Sequence, residues 1–147
     1  MMKESRMSKM ATEALRWLQK MSIDVETADV NGAMYRFLYN DVEMFITSDT
    51  SDRELYISAS VYFMKGANED VDVANFEVAK CVTRKELQNY DVEYVSGTMS
   101  YVGQTYQLPA QSRVLRRYQL IEMLDDMVRA HETFSAAAMV ASAPIMI

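Results

Sequence analysis

A single cysteine in 147 residues excludes an internal disulfide and a thiolate zinc site. A single histidine leaves little room for imidazole acid–base chemistry. Four glycines and two prolines provide no linker, and neither a low-complexity stretch nor an internal repeat marks a boundary. One domain over 1–147 is therefore expected, with residues 1–10 as a flexible start. No run reaches the ~20 apolar residues of a bilayer crossing. The longest, "FSAAAMVASAPIMI" at the C-terminus, is shorter and contains a proline. "MMKESRMSKM" has no apolar run behind its charges, so no signal peptide is expected and the cytoplasm is the expected location. Positive charge is also short. Fifteen Lys and Arg against 21 Asp and Glu give −6, which argues against binding nucleic acid or anionic lipid. An acidic chain suits the task of keeping a basic or adhesive partner soluble.

What is present alternates by element. Ala14, Trp17, Leu18 and Met21 form one stripe of a helix over 11–21. Asn31-Gly32 signals a hairpin turn. The strand "AMYRFLY", the turn Asn40-Asp41 and the strand "VEMFIT" follow. In "ELYISASVYFM" Leu55, Ile57, Ala59, Val61 and Phe63 face one way, and Tyr56, Ser58, Ser60 and Tyr62 the other. A second helix is expected over 73–87, with Ala74, Val78, Cys81 and Val82 inward. Further strands run through "VEYVSGTMSYVGQTYQL", with either Gly97 or Gly103 as the turn. Pro109 ends them, and a last helix is expected from Ser112 to about 135. The order α-β-β-β(-β)-α-β-β-α predicts an α+β fold, a mostly antiparallel sheet with helices on one face.

The stretch "LIEMLDDMVRAHETF" tests for catalysis. Leu120, Leu124, Met127, His131 and Phe134 form its apolar stripe. Asp126 and His131 lie about 140° apart on the helix, so they share neither a metal nor a proton. The acidic residues read as a solvated face, with Asp125 and Arg129 as a surface pair. Cys81 reads as a core cysteine, since free thiols are among the most buried groups. No phosphate loop, no G-x-S-x-G and no Cys/His cluster is present. Neither an enzyme nor a metal or other cofactor is expected.

Two features point to a partner. Arg113, Arg116 and Arg117 crowd the start of the last helix against its dipole. They either grip an acidic partner or pair with the chain's own acids. Tyr56, Tyr62 and Tyr101, with Tyr94, Tyr106 and the methionines Met34, Met44, Met64 and Met99, give an amphipathic surface suited to an interface. The alternative is that they pack under a helix. Residues 136–147 form an apolar tail that folds back, lies across a second copy or stays disordered, and docking in a homodimer is the preferred expectation.

Residues 11–135 resemble the YbjN-like family of bacterial proteins, whose fold is that of type III secretion chaperones. The likeness lies in the order "ATEALRWLQKMSID", "VETADVNGAMYRFLYNDVEMFITSD", "RELYISASVYFM", "VANFEVAKCVTRKEL", "YQLP" and "LIEMLDDMVRAHETF". The resemblance implies a non-enzymatic, dimeric protein that holds an extended protein or peptide client, in a family described as regulatory. The expected partner-binding residues are Tyr56, Tyr62, Met64, Tyr101, Arg113, Arg116 and Arg117. A small-ligand regulatory domain with a pocket between sheet and helices is the alternative.

Overall fold

The computed structural model describes residues 7–29 and 33–143. The Ser8 hydroxyl accepts from the Ala11 amide at 3.1 Å and starts α1, Lys9–Lys20. Met10 is buried, so the ordered fold begins earlier than expected. Strands β1 (Val25–Thr27), β2 (Met34–Tyr39), β3 (Val42–Thr47) and β4 (Glu54–Tyr62) follow as a meander. Asn40 and Asp41, at φ 48° and 62°, make the two-residue turn between β2 and β3. The expected turn at Asn31-Gly32 lies outside the described residues. After α2 (Glu69–Val82) come β5 (Asp91–Ser96) and β6 (Met99–Gln107), then α3 (Arg117–Ser142). Gly97, at φ 55°, is the turn between β5 and β6, while Gly103 sits inside β6.

The protein is α+β, with six antiparallel strands in the order β1-β2-β3-β4-β6-β5. All three helices pack on one face, as the alternation in β4 requires. Leu55, Ile57 and Ala59 are fully buried there beside Phe37, Met44, Ile46 and Val102. From above they meet Leu120, Leu124, Met127 and Phe134 of α3. Among the described residues no helix is long and apolar enough to cross a membrane.

Several expected details are corrected. Helix α2 starts at Glu69 because the Asn68 side chain caps the Val71 amide at 3.0 Å and an acidic first turn suits the dipole. Its inward face is Phe76 and Ala79, because Phe76 lies 5.8 Å from both Tyr94 and Phe134 between ring centroids. Val78, Val82 and Cys81 consequently point to solvent, so Cys81 is an exposed thiol. Helix α3 starts at Arg117, after a connection held extended by its neighbours. Arg53 donates to the Pro109 carbonyl at 2.8 Å, and the Trp17 indole donates to the Leu115 carbonyl at 2.7 Å. Helix α3 also absorbs residues 136–142 of the expected tail, burying Ala138; residues 144–147 lie outside the described residues.

The paired carboxylates of α3 are anchors rather than a solvated face. The Tyr39 hydroxyl donates to Asp125 at 2.6 Å. Tyr90 and Tyr106 both donate to Asp126, at 2.7 and 3.0 Å. Arg129 pairs with Asp126 at 3.4 Å, not with Asp125. These bonds fix the rotation of α3 over the sheet, because each carboxylate must meet phenols rising from β2, from β6 and from the residue just before β5.

Two outcomes follow. Phe134→Ala should lower unfolding free energy by about 3–5 kcal/mol in urea titration, since a fully buried ring against Phe76 is lost. Burial, with the hydrogen bond to Asp125 and its charge, pushes the Tyr39 phenol from 10.0 up to about 12. Its stabilisation is fully present below pH 10.0 and is lost as pH rises through about 12. Phenolate absorbance followed alongside unfolding should show this, and Tyr39→Phe should remove that part of the alkaline loss.

Candidate functional site

The second face of the sheet is left uncovered by the helices, and the sequence of β4 shapes it. Along this face β4 reads Tyr56, Ser58, Ser60, Tyr62, with two small side chains between two tall ones. Ser58 is flanked across the strands by Phe45 and Gly103. Ser60 is flanked by Tyr101, which in turn lies beside Glu93. Small residues in the middle and aromatic residues around them leave a hollow of about 590 Å³. Its floor is Ser58 and Ser60, and its walls include Phe45, Tyr56, Met99 and Tyr101. The two serines are only 6% and 5% exposed although no helix covers them, which measures how deep the hollow is.

The walls are fixed by hydrogen bonds. Tyr56 lies across Gly103, where an added Cβ would fall 2.2 Å from the phenol oxygen. Only glycine permits this close approach, and it lets the Tyr56 hydroxyl reach Asp91 at 3.1 Å. Burial and the Asp91 carboxylate raise the Tyr56 phenol well above its ordinary range. Burial and the Glu93 charge also raise the Tyr101 phenol. On the opposite wall, Glu43 accepts from Arg36 at 2.7 Å and from Tyr62 at 3.3 Å. Burial disfavours the charged form of Glu43, but hydrogen bonds from Arg36, Ser60 and Tyr62 and the Arg36 charge outweigh it. Its carboxyl is held below the ordinary carboxylate range. The stabilisation from Glu43 is therefore present at neutral pH and lost as acid protonates it.

Charge is sorted between the faces. Every charged residue in the six strands lies on the open face: Glu26, Arg36, Glu43, Glu54, Asp91 and Glu93. Five carboxylates against one guanidinium leave four net negative charges there, out of −6 for the chain. The helix-covered face carries none.

The expected partner-binding residues separate in space. Tyr56 and Tyr101 line the hollow, and Tyr62 stands at its rim, 53% exposed. Met64 lies beyond the strand, where its amide donates to Ser142 at the end of α3. Arg113, Arg116 and Arg117 lie at the start of α3, away from the hollow, and none forms an ion pair among the described residues. Tyr94, Tyr106 and Met44 belong to the helix-covered side. Phe45, Ser58, Ser60, Glu43 and Gly103 are the additions. The Tyr-x-Ser-x-Ser-x-Tyr spacing of β4 is the sequence signal for the two serines, whereas Glu43 and Phe45 come from β3 and Gly103 from β6.

The candidate thiol and imidazole do not meet. Cys81 is exposed on α2, whereas His131 packs toward the Ser60 backbone, its pKa lowered by burial. Among the described residues no three His, Cys, Asp or Glu side chains converge on a metal position.

Gly103→Ala should push Tyr56 off the sheet, break its bond to Asp91 and lower stability by about 1–3 kcal/mol. Adding Tyr56→Ser should recover most of that loss. A double-mutant cycle in urea measures the coupling.

No protein-family model matches this chain, and no curated protein matches it either. Among solved structures it is similar to the crystal structure of an uncharacterized protein from Methanothermobacter thermautotrophicus. The match covers 87% of this chain and 96% of that one, with a TM-score of 0.59 and 16% identity. At that identity the likeness is one of fold alone.

Proposed function

We propose that this chain is a non-enzymatic, cytoplasmic interaction protein that holds an extended segment of a partner protein or peptide on its open sheet face. The observation that carries the reading is the hollow of about 590 Å³, lined by Phe45, Tyr56, Met99 and Tyr101 on an uncovered sheet. Side chains of an extended segment alternate, so every second one can descend into such a hollow while its neighbours stay wet. Tyr and Met are well suited to the walls, since they offer large contact area and adapt to different side chains. The resemblance to the YbjN-like family and its secretion-chaperone fold agrees with client holding, and the proposal includes that membership. A homodimer is part of the same proposal. Four like charges on each open face set two copies against each other there, so the self-contact falls on another surface.

A small ligand in the same hollow is the second reading, favoured by a volume typical of small-molecule sites, on the order of 300–1,000 Å³. It replaces the expected pocket between sheet and helices, a layer whose centre is filled by the core.

The test is selection of a displayed random-peptide library on the folded protein, with counter-selection on Ser60→Trp. Tryptophan at this floor position fills the hollow from below. Selected peptides should lose affinity at least about tenfold on the variant, roughly 1.4 kcal/mol, while circular dichroism and a cooperative melt show that it remains folded. Peptides indifferent to the plug would overturn the reading, as would selection that yields none. Light scattering should give twice the 16.9 kDa chain mass.

A further inference from the structure

We infer that the segment held on this face is cationic and amphipathic: two apolar side chains at alternate positions, flanked on both sides by lysine or arginine. The inference rests on the client-holding reading and names the chemistry of its occupant. It follows from how charge and apolar surface are arranged around the hollow.

The apolar walls stand at the centre of the sheet, on β3, β4 and β6. The carboxylates lie around them. Asp91 and Glu93 occupy the β5 edge, Glu26 the β1 edge, and Glu54 the start of β4. Arg36 is already engaged by Glu43 at 2.7 Å and Glu26 at 3.4 Å, so that cluster keeps one net negative charge and offers an acidic ligand no unpaired cation. The β5 edge and Glu54 carry the rest. An anionic segment would be repelled on this face, and so would a second copy of the chain. A neutral apolar segment would fill the centre and leave the rim unanswered. A cationic amphipathic segment satisfies both parts.

Size sets the spacing. Five strand-to-strand steps of about 4.8 Å separate the β1 and β5 edges, about 24 Å in all. An extended chain rising about 3.3 Å per residue covers that distance in about seven residues. Two apolar residues two positions apart then point down together into the hollow between β3 and β6, and the residues outside them reach the carboxylates of both edges.

The experiment uses the full chain and a fluorescein-labelled probe of sequence Lys-Lys-Leu-Ser-Phe-Lys-Lys, read by anisotropy. Three further peptides complete the set: one with Glu for every Lys, one with Ser for every Lys, and one with Ser for Leu and Phe. Spermidine serves as a competitor. The lysine probe should bind, weaken with added salt as screening shortens the reach of the rim charges, and bind at least about tenfold better than the other three. Glu54→Lys with Glu93→Lys should abolish that preference, and Glu93→Gln, which leaves the fold's hydrogen bonds alone, should reduce it. Ser60→Trp should block the probe. If the serine-for-lysine peptide binds as well as the probe and is still blocked by Ser60→Trp, the charge inference fails and client holding stands. If no peptide binds, both fail. Displacement of the probe by spermidine alone at matching concentration would make this a site for small polycations and overturn the inference.

Discussion

Burial of the Leu55, Ile57, Ala59 and Val61 row beneath α3 is the contact on which the rest of this structure depends. A strand turns alternate side chains to opposite faces, so committing one row to the core commits its neighbours to the other side. Tyr56, Ser58, Ser60 and Tyr62 are therefore held outward by the same force that holds the branched row inward. Among the described residues three helices meet over one face, and none lies over the hollow on the other. A slip of one residue in the β4 pairing would put two serines and two tyrosines under α3 and the apolar row into water. The register of the site and the register of the core are thus one and the same constraint.

The tyrosines show why some of this was legible in the sequence and some was not. Period-two alternation in β3 and β4 identified the two faces from residue type alone, and the element order followed from where the periodicity changed. The turn at Asn40-Asp41 was legible because both residues tolerate positive φ. The roles of Asp125 and Asp126 were hidden because their partners, Tyr39, Tyr90 and Tyr106, lie 86, 36 and 20 residues away along the chain. A run of acids looks solvated until something donates to it. The same limit misplaced the inward face of α2. Val78, Cys81 and Val82 offered an apolar stripe as good as any, and only the ring contacts of Phe76 with Tyr94 and Phe134 decide which stripe turns inward. Within the site, aromatic residues announce themselves as binding groups, whereas Ser58, Ser60 and Gly103 contribute by lacking bulk. An absence of volume is visible only once the neighbours are in place.

Sorting all strand charges to one face resolves a conflict between two requirements. An uncovered apolar hollow on a sheet invites self-association. Covering it would remove the site, and polar substitution of Phe45 or Met99 would remove its contact area. Surrounding it with carboxylates keeps the apolar walls while making two such faces mutually repellent. The device also selects what can approach, since the field that turns away a copy attracts a cation. On the proposed reading, resistance to self-association and selection of a partner come from the same five residues, and neither draws on the hydrophobic core.

The walls of the hollow are in place before anything enters it, and this bears on affinity. A loose tyrosine loses side-chain freedom when a ligand pins it, on the order of 0.5–1.5 kcal/mol for each ordered side chain. Tyr56 is already held against Gly103 by Asp91, and Tyr62 is already held by Glu43, which Arg36 fixes in turn. The cost of ordering these rings is met when the chain folds, through bonds that also orient the rim carboxylates. Tightening the same bonds further would gain little, because the ligand would still have to bring its own extended backbone to rest. An occupant with a built-in preference for extended structure therefore stands to gain more affinity on this face than one that only improves its contacts.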